Sequence, residues 1–433
     1  MTSPAGRSPR RSRPAAWFSR WGPILPLLAA EFILWLGFGA ILPIMAPYFN
    51  ERGVSLEMLG FVIAAWPAAK LLSEPVFGWL ADRTRRVPLM VIGLVVAGIA
   101  LGLPLVFTGP IPFLILRAVA GLGTALYDPA ARGYLTDSTP PERRGEAFGL
   151  YGSAQMGGLL LGPAIGGIGA ENFGGVAFVF VFGAASTLIA AVAVALRVRE
   201  SAQVLRQRRD AAPAAMTEAI PLPADEARRG HRQPTALLNR WLIAAIVLNV
   251  GGYFAGGTYE VIWSLFLLDR GASVGFVGLT FAAFALPVLI FSPFAGRMVD
   301  RRGSLPFIVV GSLMTATASV IYPFVPDPVW VIPFLFVEAT GFAILNPALF
   351  AVVAAGSPPG RSSTAQGLFG SAGTLGTIVA SIVTGYLANI SLNYPFWVGA
   401  AVMYLSLLIG LAIGGRTISR LRPVGRPAVS AVG

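Results

Sequence analysis

Apolar residues run along this chain in long blocks, not at the alternating spacing of a soluble helix with one wet face. Stretches poor in charge recur at 22–49, 57–81, 87–108, 111–136, 145–170 and 173–196, then at 238–268, 273–298, 304–325, 329–355, 362–388 and 393–415. About 20 apolar residues in helical conformation cross the hydrocarbon core of a bilayer. With no water there to satisfy the backbone, only helices and closed barrels can span it. The pattern predicts an all-α membrane protein with twelve transmembrane helices in two six-helix bundles, 21–196 and 238–415. A polar linker, 197–237, separates them, and polar tails flank them at 1–20 and 416–433. Trp21 to Phe49 is too long for the apolar region of a cleavable signal and is expected to remain as the first span.

The fifth block is unusual. It reads Gly149-Leu-Tyr-Gly-Ser-Ala-Gln-Met-Gly157-Gly158-Leu-Leu-Leu-Gly162-Pro163-Ala-Ile-Gly166-Gly167. Glycine is costly inside a helix, and proline removes a backbone donor and bends the axis. In a membrane the same residues let helices approach closely. Gly158, Gly162 and Gly166 recur every four residues and form one smooth stripe, whereas Gly149 falls on another face. The stripe is expected to pack against span eight as a bend and seal.

The two sixes repeat at an offset of 218 residues. It relates Pro75 to Pro293, Gly78 to Gly296, Asp82-Arg83 to Asp300-Arg301 and Pro129 to Pro347. It also relates Gly149-Leu-Tyr-Gly-Ser-Ala to Gly367-Leu-Phe-Gly-Ser-Ala. Duplicated halves are a transporter architecture, with the substrate site between them near the bilayer midplane. The copies differ at one place: Gly162-Pro163 becomes Ala380-Ser381, and Gly166 becomes Thr384.

Composition agrees. Of 433 residues only 12% are charged, and the net charge of +12 follows topology, so nucleic acid is not an expected partner. Arg52 and Arg270 fall on one side, while most other basic residues, including Arg206, Arg208, Arg209, Arg228 and Arg229, fall on the opposite side. That bias marks the cytoplasmic face and puts both termini there. There is no cysteine, so disulfides and cysteine-based metal or redox chemistry are excluded. The only histidine, His231, lies in the linker. No nucleotide-binding motif, metal cluster or nucleophile triad appears, so the chain does not read as an enzyme and no cofactor is expected. Active transport would draw on an ion gradient.

These motifs resemble a known family. Gly78-Trp-Leu-Ala-Asp82-Arg83-Thr-Arg-Arg86 resembles the loop signature of the major facilitator superfamily, and Gly296-Arg-Met-Val-Asp300-Arg301-Arg-Gly303 its second-half echo. Arg117-Ala-Val-Ala-Gly121-Leu-Gly123 resembles its fourth-helix motif. The glycine block matches the fifth-helix antiporter motif of the twelve-span drug:proton antiporters. The resemblance implies a bacterial inner-membrane exporter, monomeric, exchanging protons for small amphipathic or cationic compounds by alternating access. A selective metabolite carrier, a lipid translocator, and a non-transporting sensor on the same fold are the alternatives. It also implies a gating latch at Asp82, with Gly78, Arg83, Arg86, Gly296, Asp300 and Arg301 around it, and a proton-coupling role for Arg117. Arg85 stands where the signature usually has glycine, which puts the sharp turn there in question.

Proton exchange needs a titratable group, and no histidine lies in a span. An embedded carboxylate can bind and release a proton as burial and neighbouring charge change. Glu31, deep in span one, is the first candidate, and the resemblance supports it. Glu74 with Lys70 is the second proton-coupling candidate; the two lie four residues apart on one helical face and are expected to pair. Glu260, with Tyr259 and Trp263, suits a cationic or aromatic ligand. Glu338 is a cavity or scaffold residue, or the partner of Arg117. Asn249 and Tyr253 are expected cavity liners. Asp128, Asp137 and Arg143 read as structural or gating boundary residues.

Overall fold

The computed structural model describes residues 21–140, 143–200, 236–358 and 361–419. The 1–20 tail, all but the ends of the expected linker, His231 and the end of the C-terminal tail lie outside the described residues. The described chain forms α1 (Leu25–Glu51), α2 (Leu56–Arg83), α3 (Arg86–Gly102), α4 (Pro110–Asp137), α5 (Arg144–Asn172) and α6 (Gly175–Arg197). The second set is α7 (Arg240–Asp269), α8 (Val274–Arg302), α9 (Leu305–Ile321), α10 (Val331–Gly356), α11 (Ser362–Ile390) and α12 (Tyr394–Ile418). Eleven segments among the described residues are long and apolar enough to cross a membrane, and α5 alone of these helices is not among them. Its glycines dilute its hydropathy, although 147–170 carries no charge. The protein is multi-pass.

The 218-residue offset carries α2 onto α8 and α5 onto α11 almost residue for residue, and it reaches the turns. Gly53 and Gly271 take φ of 85° and 82°, which L side chains avoid. Ser55 and Ser273 then cap α2 and α8 by accepting from Met58 N and Phe276 N. Arg52 lies 3.7 Å over the Tyr48 ring and Arg270 3.7 Å over Phe266. Arg270 also donates to the carbonyls of Val325 and Pro323, both at 3.2 Å. At the opposite end the copies part. Gly303 has φ of 84°, but Arg85 is in ordinary extended backbone at φ −70°, so the first loop turns without the left-handed residue.

Within the first half α1 packs on α5 and α6, and α4 on α2 and α3; in the second, α7 packs on α11 and α12, and α10 on α8 and α9. The halves meet through α5 with α8 and α2 with α11. Glycine makes both seams. A Cβ on Gly167 would meet Gly278 Cα at 3.0 Å, and one on Gly385 would meet Gly60 N at 3.1 Å. These pairs are related by the same offset. Carboxylates finish the seams at the Arg52 end. Glu171 accepts from Gly275 N at 3.1 Å and Ser273 Oγ at 3.2 Å, and Glu57 accepts from Asn389 at 2.9 Å.

The glycine stripe does not face span eight as expected. Gly158, Gly162 and Gly166 lie against the backbone of α1, at Phe32, Leu36 and Ala40 respectively. A Cβ at Gly158 or Gly162 would stand 2.5 Å from the carbonyl oxygen of Phe32 or Leu36. Of the block's glycines only Gly167, one position round the helix, serves α8, where the Pro163 carbonyl also lies against Gly278, while Gly149 faces open space. The stripe therefore tightens one half and a single further glycine closes the seam. Gly166→Val should cost at least about 1–3 kcal/mol through overpacking, read as a lower thermal midpoint in detergent, while Gly149→Ala should leave the midpoint nearly unchanged. Equal shifts would contradict this packing.

Candidate functional site

The halves touch at the Arg52 end and separate towards the Asp82 end. A cavity of about 1060 Å³ opens between them there, and a second of about 340 Å³ lies further in. Trp35 of α1 and Trp66 of α2 line both, forming the waist between a polar vestibule and an apolar chamber. Trp66 lies 17 residues before the end of α2, about 25 Å along the helix.

The first half supplies the vestibule's charges. Lys70 faces the space, but its partner is Asp128 of α4 and not Glu74 as expected. An interhelical carboxylate captures the ammonium despite the favourable i,i+4 spacing of Glu74. Glu74 instead lies 3.9 Å from Arg132, also of α4. Asp128, read from sequence as a boundary residue, is thus part of the site. The facing wall comes from the second half and is uncharged: Tyr253, Gln366, Ser371 and Thr374.

Glu31 is fully buried on the first-half side of the vestibule, behind Trp35 and Gln155. Trp35 Nε1 donates to it at 2.9 Å, the Tyr127 hydroxyl at 2.8 Å and Gln155 Nε2 at 3.4 Å. Trp35 and Gln155 line the vestibule, so one donor layer separates the carboxyl from that space. All three donors are neutral.

Aromatic residues of both halves, with carboxylates of the second, form the chamber. Phe38, Trp66, Trp263 and Phe342 line it with Tyr259, Glu260 and Glu338. Arg117 of α4 reaches across the seam and donates to Glu260 at 3.0 Å. Among the described residues this is the ion pair that joins the halves. Glu338, the alternative partner for Arg117, instead accepts from Tyr322 at 2.6 Å within its own half. Asn249 is not a cavity liner: it is 2% exposed and donates to the Phe369 carbonyl at 2.8 Å, tying α7 to α11.

Comparison with known proteins places this architecture. The family model described as Major Facilitator Superfamily matches residues 27–267 and again 253–429. The chain belongs to the major facilitator superfamily. Multidrug resistance protein 2 of Bacillus subtilis (strain 168) is 26% identical over 392 residues, covering 88% of this chain and 92% of that protein. Quinolone resistance protein NorA of Staphylococcus aureus (strain COL) is 22% identical, covering 88% and 93%. Among solved structures, a bacterial homologue of the lysosomal transporter Spinster aligns with a TM-score of 0.71 at 17% identity, covering 96% and 100%. The D-xylose-proton symporter aligns at 0.69 with 17% identity, covering 90% and 97%. The fold is that of a major facilitator transporter, and the chain resembles the drug:proton antiporters.

The superfamily's loop residues lie at the open end. Asp82 is 75% exposed at its side chain and stands 3.7 Å from Arg86 Nη2, a contact within the first half. Arg86 is buried against Gly133 and pairs with Asp137 at 2.8 Å. Arg83 stacks at 4.2 Å over Trp79, and Asp300 and Arg301 are exposed. Gly78 meets only Pro129, and Gly296 meets nothing. No ion pair among the described residues joins the halves at this end.

The Arg117–Glu260 pair makes an ordered expectation. Breaking a buried pair costs on the order of 3–5 kcal/mol. A stranded carboxylate can take up a proton, whereas a guanidinium does not lose one. In detergent melts Glu260→Gln should therefore destabilise more than Arg117→Met, and the double variant should recover most of the loss. Additive losses would show that the two side chains do not act as a pair.

Proposed function

We propose that this transporter exports small amphipathic or cationic compounds in exchange for protons by alternating access. The observation that carries the reading is an ion pair buried between the halves beside an aromatic chamber. A proton taken by Glu260 would release Arg117 and break the ion pair that joins the halves among the described residues. Glu31 is the second proton site, placed in the first half where the offset partner, Asn249, serves structure instead. The chamber's lining supports the substrate class: aromatic faces and carboxylates attract organic cations, which a cation–π contact favours by about 0.5–2 kcal/mol. A carrier selective for sugars would instead be expected to present a denser set of hydroxyl and amide partners.

In this reading the Asp82 end is cytoplasmic, by the distribution of basic residues, and the termini lie on that side of a bacterial inner membrane. The open vestibule is then the loading state. Asp82, Arg83, Asp300 and Arg301 become gating residues when the ends approach, and the glycine seams at the Arg52 end part in exchange. The transporter works as a monomer, since each chain contains both halves of the site.

Reconstitution in liposomes tests this. With the lumen more acidic than the bath, purified protein should concentrate ethidium several-fold, and collapse of the gradient should release it. Glu31→Gln should lower gradient-driven accumulation by about tenfold or more while ethidium-for-ethidium exchange persists, because general loss of one proton site uncouples without removing the cavity. No accumulation by the unaltered protein, or normal accumulation by Glu31→Gln, would overturn the coupling scheme.

A further inference from the structure

The vestibule has a chemistry that the chamber lacks. Three charged side chains face it, Lys70, Arg132 and Glu74, all from α2 and α4. Asp128 lies behind Lys70 with its side chain 9% exposed and does not line the cavity. Asp128 anchors the ammonium from behind, with the Nζ 5.4 Å from the Trp66 ring at the waist. Arg132 and Glu74 are more open, with side chains 53% and 34% exposed, and their 3.9 Å separation is too long for a hydrogen bond. Both therefore keep hydrogen-bonding capacity for an occupant. Across from them Gln366 and Thr374 offer neutral donors and acceptors.

A simple cation would meet Lys70 and Arg132 on entering, and a simple anion would meet Glu74. A head group carrying both charges satisfies all three. We infer that the vestibule binds the zwitterionic head of an amphiphilic aromatic substrate, with its anionic group on Lys70 and Arg132 and its cationic group on Glu74. The aromatic body then passes between Trp35 and Trp66 into the chamber. The two spaces, about 1060 and 340 Å³, hold a head and a body of drug size. The inference rests on the export reading above and narrows its substrate class.

Nε-dansyl-lysine tests it, because its head is an ammonium and a carboxylate and its fluorescence rises in apolar surroundings. Its methyl ester keeps the body and the ammonium and removes the anion. Titrated onto the full-length protein in nanodiscs, the zwitterion should bind about tenfold more tightly than the ester, the worth of one or two charge-assisted hydrogen bonds. The double variant Lys70→Met with Asp128→Asn strands no buried charge, and it should bring the two affinities within about twofold of each other. Lys70→Arg should retain the preference. Equal binding of both probes by the unaltered protein, or a preference that survives in the double variant, overturns the inference. If ethidium binds but the zwitterion is not preferred, the head-group site alone falls. If neither dansyl probe nor ethidium binds, the export reading falls with it.

Discussion

An ionised group in the bilayer interior must find a partner, and the Arg117–Glu260 pair is where that requirement crosses between the halves. Each other embedded charge is answered at home. Lys70 meets Asp128, and Glu74 lies near Arg132, all in the first half. Glu31 is held by neutral donors of α1, α4 and α5, and Glu338 by Tyr322. Among the described residues, Arg117 is the cation that pairs across the seam. Its partner forms part of the chamber wall, so the mid-membrane tie between the halves and the aromatic chamber share one carboxylate. Under the proposed mechanism, a change of protonation or of occupant there would bear on how the halves sit.

The duplicated scaffold and the unduplicated chemistry divide the chain's work. The Arg52–Gly53–Ser55 turn recurs as Arg270–Gly271–Ser273, and the Gly167–Gly278 seam recurs as Gly385–Gly60. These features set how two rigid bundles meet. The charges embedded in the spans do not recur. The offset positions of Lys70, Glu74, Arg117 and Asp128 are Val288, Ser292, Leu335 and Asn346, and those of Glu260 and Glu338 are Leu42 and Ala120. The first half thus carries the embedded cations and the vestibule's charges, and the second contributes carboxylates to the chamber. The α1-facing stripe of Gly158, Gly162 and Gly166 belongs to the same asymmetry, since Ala380 and Thr384 replace its last two glycines. That stripe presses α1, which bears Glu31 and Trp35, against α5, which bears Gln155.

The helices and the repeat were legible because they depend on local properties: charge-free length, and glycine, proline and aspartate recurring at one offset. Partnerships between helices were not. Lys70 and Glu74 satisfy the spacing rule for a pair, yet an aspartate 58 residues away takes the lysine because α2 lies against α4. Arg117 and Glu260 are 143 residues apart, and only the meeting of the halves distinguishes Glu260 from Glu338 as the partner. Asn249 invited a functional reading as the offset partner of Glu31, but its amide answers a backbone carbonyl. The glycine stripe announced close packing without naming the neighbour. A helix presents several faces, and sequence periodicity says which residues share one, not what lies opposite.

The absence of cysteine allows paired spin labels to be introduced cleanly. Distances measured between labels at Glu51 and Asp269, and in a second sample between labels at Thr84 and Arg302, would follow the two ends of the halves. If the Arg117–Glu260 pair governs their arrangement, Glu260→Gln should add a longer distance at the first pair and a shorter one at the second, and acidification of the unaltered protein should produce the same two changes together. Distances at both ends that ignore the substitution and the pH would contradict a controlling role for the pair.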